Sequence, residues 1–122
     1  MGAESKEIGK KGESEAAKYL AGKGLKILLS NYRTSRGEID IIAREADTLV
    51  FVEVKNYSFR SFYLPSFSID RDKRRCIIKS AQTYLCKNNV RGVNCRFDVI
   101  TIYSDHSGTR KIEHFKNAFD IT

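Results

Sequence analysis

Two carboxylates and a lysine are the residues of this chain best placed to do chemistry together. Asp40 lies in Glu38-Ile-Asp-Ile-Ile-Ala43, and Glu53 and Lys55 lie in Leu49-Val-Phe-Val-Glu-Val-Lys55. Both stretches read as β-strands, rich in β-branched and aliphatic residues and free of Gly and Pro. Along a strand, residues two apart share a face, so Val50, Val52 and Val54 point one way and Phe51, Glu53 and Lys55 the other. Packing on the Val face predicts that the opposite face meets water. A hairpin across residues 44–48 would let Asp40 and Glu53 converge. Glu-x-Lys alone is common on ordinary strands. Asp40 is the stronger oddity, because a carboxylate among Ile39, Ile41 and Ile42 is costly unless it is paired or metal-bound. Acid, second acid and a lysine two residues later form the skeleton of a metal-dependent phosphodiester hydrolase.

The elements that must position these groups follow from periodicity. Residues 5–22 read as a helix with Ile8, Gly12, Ala16, Tyr19 and Leu20 on one stripe, ended by Gly22 and Gly24. Glu13 and Glu15 flank that stripe on opposite sides, and periodicity does not choose between them as a site acid or as solvated carboxylates. Leu25–Leu29 reads as a first strand and Ser30–Gly37 as a polar turn in which Gly37 allows an unusual backbone angle. Arg33 and Arg36 in that turn are placed either to contact phosphates or to be solvated.

After Lys55 the pattern is lost. Tyr57, Phe59, Phe62, Tyr63 and Phe67 surround Arg60 and the one proline, Pro65. Such a stretch fits base stacking, a subunit contact in a homodimer, or a loop covering the core. Ser68 to about Asn88 reads as a second helix with Ile77, Ala81, Tyr84 and Leu85 as its apolar stripe. Arg71, Lys73, Arg74, Arg75 and Lys79 crowd its first half, against the helix dipole, which fits either a bound phosphate backbone or solvated charge. Arg96–Tyr103 is a further strand, Ser107-Gly108 a turn, Lys111–Phe115 a short edge strand, and Asn117–Phe119 a final turn. The order α-β-β-β-α-β, then β or coil, predicts an α/β fold with a mixed sheet flanked by helices.

Composition bounds the rest. A chain of 122 residues is expected to form one domain, 1–122, around one core. The 22 Lys and Arg against 15 Asp and Glu leave a net charge of +7, which favours polyanionic partners, nucleic acid first. No apolar run approaches a membrane span and the N-terminus lacks a signal-peptide core, so the expectation is a cytoplasmic protein. Cys76, Cys86 and Cys95 are odd in number and lack C-x-x-C spacing, which predicts small buried apolar residues in a reducing compartment. His106 and His114, without partners at ligand spacing, read as surface residues.

Taken together, Gly9-x-x-Gly12-Glu13-x-x-Ala16-x-x-Tyr19-Leu20, Asn31-Tyr32-Arg33, Gly37-Glu38-Ile39-Asp40, Val52-Glu53-Val54-Lys55 and Arg96-Phe97-Asp98-Val99 resemble the YraN family. These small bacterial proteins are similar in fold to archaeal Holliday-junction resolvases and belong to the PD-(D/E)xK nuclease superfamily. The likeness runs from Gly9 to the Asn117-Ala-Phe119 ending. It implies a restriction-endonuclease-like core in which Asp40 and Glu53 are metal-binding acids, helped by the backbone carbonyl of Val54. Lys55 would be the catalytic lysine and Glu13 the auxiliary acid. An oxygen-only ligand set suits Mg²⁺ or Mn²⁺.

Two departures from the pattern matter. Asn56 and Tyr57 follow the lysine where similar sequences carry Thr or Ser and then Arg. The next loop is aromatic rather than basic or Gly-rich. Ile39 stands where the superfamily name has proline, which is ordinary in this family. The resemblance implies a Mg²⁺-dependent endonuclease acting on DNA, on branched or structured DNA in particular. Arg33, Arg36, Lys73, Arg74, Arg75 and Lys79 would be its nucleic-acid contacts. The rival expectations are a nucleic-acid-binding module with the fold but no turnover, and an interaction subunit using the aromatic stretch.

Overall fold

A computed structural model describes residues 2–57, 69–105 and 107–119, with side chains from residue 12 onward. The chain runs α1 (Gly2–Gly22), β1 (Lys26–Thr34), β2 (Gly37–Glu45), β3 (Thr48–Asn56), α2 (Arg71–Lys87), β4 (Asn94–Ser104) and β5 (Arg110–Phe119). The strands form one five-stranded sheet in the order β1-β2-β3-β4-β5. β3 and β4 pair in parallel, and the other pairs are antiparallel. The fold is the mixed α/β arrangement expected, with a strand as its last element.

Alternation along β3 sorts its side chains between two cores. Val50 and Val52 join Ile41, Ala43, Ile100 and Ile102 beneath Ala16 and Leu20 of α1. Phe51 joins Ile39, Ile42, Phe97 and Val99 beneath Ile77 and Ala81 of α2. The expectation that the Phe51 face meets water is therefore corrected: Phe51 is 1% exposed. A parallel crossover has to lay its helix on one face of the sheet, and with α1 on the other both faces become interior.

Further corrections concern edges. Ser30–Thr34 is not turn but the second half of β1, and only Ser35 and Arg36 separate Thr34 from its partner Gly37. β1 is an edge strand, so polar residues along it face solvent while still pairing on one side. Asn117–Phe119 likewise belongs to β5. Asn117 has φ 52° and sits by a register shift in the β4–β5 ladder, a bulge in place of the expected turn. The cationic start of α2 is offset by Asp70, which caps it by accepting from Lys73 N at 2.8 Å, and by Asp72 in the first turn. All three cysteines are free, but Cys86 is exposed and Cys76 and Cys95 half-buried, so they are not core residues as expected. Among the described residues no helix is long and apolar enough to cross a membrane. His106 and the aromatic residues 59–67 lie outside the described residues.

Two glycines let the helices approach the sheet. A Cβ on Gly12 would lie 2.9 Å from Asn56 Nδ2, so the bare backbone of α1 seats against the end of β3. A Cβ on Gly37 would lie 3.1 Å from Cys76 Cβ, where the β1–β2 turn docks on α2. Thr34 Oγ1 and Ser80 Oγ, 2.9 Å apart, share a hydrogen bond across the same junction.

Candidate active site

The backbone ladder between β2 and β3 ends at the pair Ile41 and Val52. Beyond it a side chain replaces the missing backbone partner: Val54 N–H donates to Asp40 Oδ2 at 2.7 Å. This bond fixes Asp40, which is only 7% exposed, beside Glu53, also 7% exposed. Gly12 brings the next residue of α1, Glu13, to the same place. Glu13 and Glu53 both lie near enough to Asp40 for its charge to act on their carboxyls. Two carboxyl groups, from α1 and β3, thus gather around the Asp40 carboxyl of β2.

Their electrostatics reflect that crowding. Burial, and then the charge of Asp40, push the Glu53 carboxyl up to about 8, with Lys73 and Lys55 acting in the opposite direction. Burial, then Asp40 and Glu38, push Glu13 up to about 7, with Arg33 opposing. In each case a protonated carboxyl can donate to Asp40, the arrangement that like charges adopt when too few cations are near.

Glu15 lies elsewhere. Its carboxylate takes Arg110 Nη2 at 2.8 Å, tying α1 to β5. The helix carboxylate that periodicity left undecided is therefore Glu13 by position. Lys55 follows Glu53 on the same face of β3, opposite Thr101 of β4. Thr101 is wholly buried, and its hydroxyl has no hydrogen-bond partner among the described residues. Of the basic residues, Lys73 reaches Glu53 Oε2 at 3.7 Å, and Arg33 reaches Glu38 at 3.5 Å. Arg36 and Lys79 lie farther off, lining a concavity together. Arg74 and Arg75 sit on the first turns of α2.

A second buried carboxylate gives the contrast. Asp98 of β4 is completely buried and accepts from Arg96 Nε at 3.0 Å and Asn117 N at 3.0 Å, with His114 Nε2 at 2.7 Å. Burial raises its carboxyl, but the bonds from His114, Arg96 and Asn117 outweigh that and hold it below the usual range. Arg96 also binds Glu45 Oε1 at 2.6 Å, so the network staples β2, β4 and β5 together. His114 is therefore not a surface residue, because its side chain is 6% exposed against Asp98. Sequence reading missed this pairing, although an aspartate inside an apolar strand was the same signal that marked Asp40.

Residues 12–102 match the profile described as uncharacterised protein family UPF0102. The chain belongs to the UPF0102 family. It is 45% identical over 113 residues to a UPF0102 protein of Persephonella marina, covering 93% of each chain. With a UPF0102 protein of Clostridioides difficile it shares 46% identity over 115 residues, 94% of this chain and 98% of the relative. This is the family whose motifs the sequence resembles, YraN. The stretch that matches the UPF0102 profile includes Glu13, Asp40, Glu53, Lys55 and Arg96-Phe97-Asp98-Val99.

The donor chemistry of the carboxyl cluster suits a hard cation. All of its side-chain donors are oxygens, and the raised Glu13 and Glu53 carboxyls mark where a positive charge would compensate them. Among the described residues no group of three His, Cys, Asp or Glu side chains is disposed as a ready-made metal cage. Mg²⁺ does not require one: it keeps several waters and takes one or two protein carboxylates.

Proposed function

We propose that this UPF0102 protein is a metal-dependent nuclease that hydrolyses phosphodiester bonds of DNA, with branched or structured DNA as its preferred class. One observation carries the reading. Asp40 and Glu53 are both buried, yet unlike Asp98 they lack enough cations, and Lys55 stands one strand step farther on. Burial that raises a carboxyl without satisfying it destabilises a fold, and such arrangements cluster at functional sites.

Asp40 and Glu53 would hold Mg²⁺ or Mn²⁺, with the Val54 carbonyl and waters completing the shell. The ion would lower the pKa of bound water and offset charge on the scissile phosphate. The chain's own contribution is positional. Val54 N–H orients the Asp40 carboxylate. Glu13, whose carboxyl is pushed up to about 7, is suited to hold or release a proton near neutral pH. The Lys55 ammonium orients the attacking water and stabilises charge growing on the phosphate. Arg33, Arg36, Lys73, Arg74, Arg75 and Lys79 supply cations for the backbone.

A second reading, a nucleic-acid-binding module without turnover, draws on the Lys73–Glu53 contact, in which a lysine already neutralises part of the site. Cleavage of linear, flapped and four-way DNA with Mg²⁺ or Mn²⁺, by wild type and Asp40→Asn, separates the two. Metal-dependent cleavage lost in Asp40→Asn is the expected result. Binding with no cleavage of any substrate would favour the module.

A further inference from the structure

We propose that the concavity between the β1–β2 turn and the second half of α2 is a phosphodiester-backbone subsite. It would hold the same nucleic acid several nucleotides from the bond at the carboxyl cluster. The inference rests on the nuclease reading and gives its substrate a path. Arg36, Lys79, Gln82, Thr83, Cys86 and Lys87 line this hollow of about 470 Å³. Three of the six are cations, and none is a carboxylate.

The charge there is uncompensated. Arg33, Lys73, Arg96, Arg110 and Lys116 all have acidic partners. Among the described residues Arg36, Lys79 and Lys87 have none. Three cations from two elements, facing one hollow with no counter-ion, repel one another unless an anion lies between them. The Gln82 amide and the Thr83 hydroxyl beside them can donate to phosphate oxygens.

The hollow is also built in advance. Arg36 N–H donates to Thr34 Oγ1 at 3.0 Å, which fixes the turn, and the Thr34–Ser80 bond of 2.9 Å fixes the turn to α2. The close seat of Gly37 against Cys76 leaves no slack between them. The backbone that carries Arg36 therefore does not have to be ordered on binding as that of a free loop would be.

Position links the hollow to the site. Along the axis of α2, Lys79 and Lys87 lie about 9 and 21 Å beyond Lys73, which stands at Glu53, at 1.5 Å per residue. At about 3.4 Å of duplex per nucleotide, that places the held phosphates roughly three to six nucleotides from the scissile bond.

The test compares wild type with the triple variant Arg36→Gln/Lys79→Gln/Lys87→Gln. Binding of a labelled 24-base-pair duplex is measured without divalent metal over a salt series, and single-turnover cleavage is measured at saturating DNA with Mg²⁺. The triple variant is expected to show a log–log salt slope shallower by about 2 to 3, at about 0.9 per phosphate lost. The double variant Lys79→Arg/Lys87→Arg should keep the wild-type slope, which ties the effect to charge rather than to a damaged fold. If wild type cleaves but the triple variant keeps its slope, the subsite is overturned and the nuclease reading stands. If wild type neither binds nor cleaves DNA, both fall.

Discussion

Lys73 Nζ lies 3.7 Å from Glu53 Oε2, so the first turn of α2 delivers a cation onto a carboxylate of β3. The contact sits at a half-exposed lysine and a nearly buried acid, where attraction is stronger than on open surface but still partly screened. If Glu53 holds a divalent cation as proposed, Lys73 would compete with it. Lys73→Met should bind Mn²⁺ about three- to tenfold more tightly than wild type in titration calorimetry. Lys79→Met, a charge removed away from the carboxylates, should change that affinity little. Equal Mn²⁺ affinity in wild type and Lys73→Met would show that the lysine does not compete.

The raised carboxyls make stability depend on pH in a stated direction. Glu53 and Glu13 are pushed from 4.5 to about 8 and about 7, so the folded chain holds more protons than the unfolded one across that window. Their contribution is fully present below about pH 4.5 and is lost as pH rises through the folded values. The metal-free protein should lose several degrees of Tm, of order 5 °C, between pH 5 and pH 8.5. Glu53→Gln should flatten the decline, and Mn²⁺ should restore Tm at the alkaline end. A metal-free Tm rising over that range would contradict the assignment.

Asp98 should behave in the opposite way to Asp40. Asp98→Asn removes the buried charge that partly exposed Arg96 and nearly buried His114 face, and breaking such a network by one partner costs about 3 to 5 kcal/mol. Asp40→Asn instead relieves repulsion toward Glu13 and Glu53 and keeps an oxygen for Val54 N–H. Urea denaturation without metal should show a lowered midpoint for Asp98→Asn and an unchanged or raised one for Asp40→Asn.

Lys55 is assigned to positioning and charge, not to taking a proton. Lys55→Met should abolish cleavage while DNA affinity stays within about threefold, because one phosphate contact among several is lost. Lys55→Arg should retain part of the rate, since charge survives while geometry changes. Single-turnover cleavage from pH 6 to 10 is the decisive measurement. An alkaline limb present in wild type and absent only in Lys55→Arg would make the lysine a base.

The meeting of Asp40 and Glu53 was legible because it rests on local rules. Two apolar runs separated by a short polar stretch form a hairpin, and period-two alternation then says which residues share a face. The Asp98–His114 pair was not legible. It depends on the β4–β5 register, which shifts between Phe97 and Val99 near an asparagine in left-handed conformation. Nothing in the residue types announces that shift. Ser30–Thr34 read as turn because an edge strand can be as polar as a loop. Lys73 was one of several cations at the head of a helix, and only the docking angle of α2 shows which of them turns inward.

The parallel pairing of β3 with β4 obliges the chain to leave the sheet after Asn56 and re-enter through α2. The connector between them is anchored at both ends without its own help. Tyr57 N–H binds Ile102 O at 2.8 Å, and Asp70 caps α2 through Lys73 N at 2.8 Å. Doubling the length of a connector held this way costs only about 0.6 kcal/mol in closure entropy. Evolution can therefore rewrite that one stretch while the frame that holds the cluster is kept. In a chain wired like this, connector and frame are free to diverge on separate schedules.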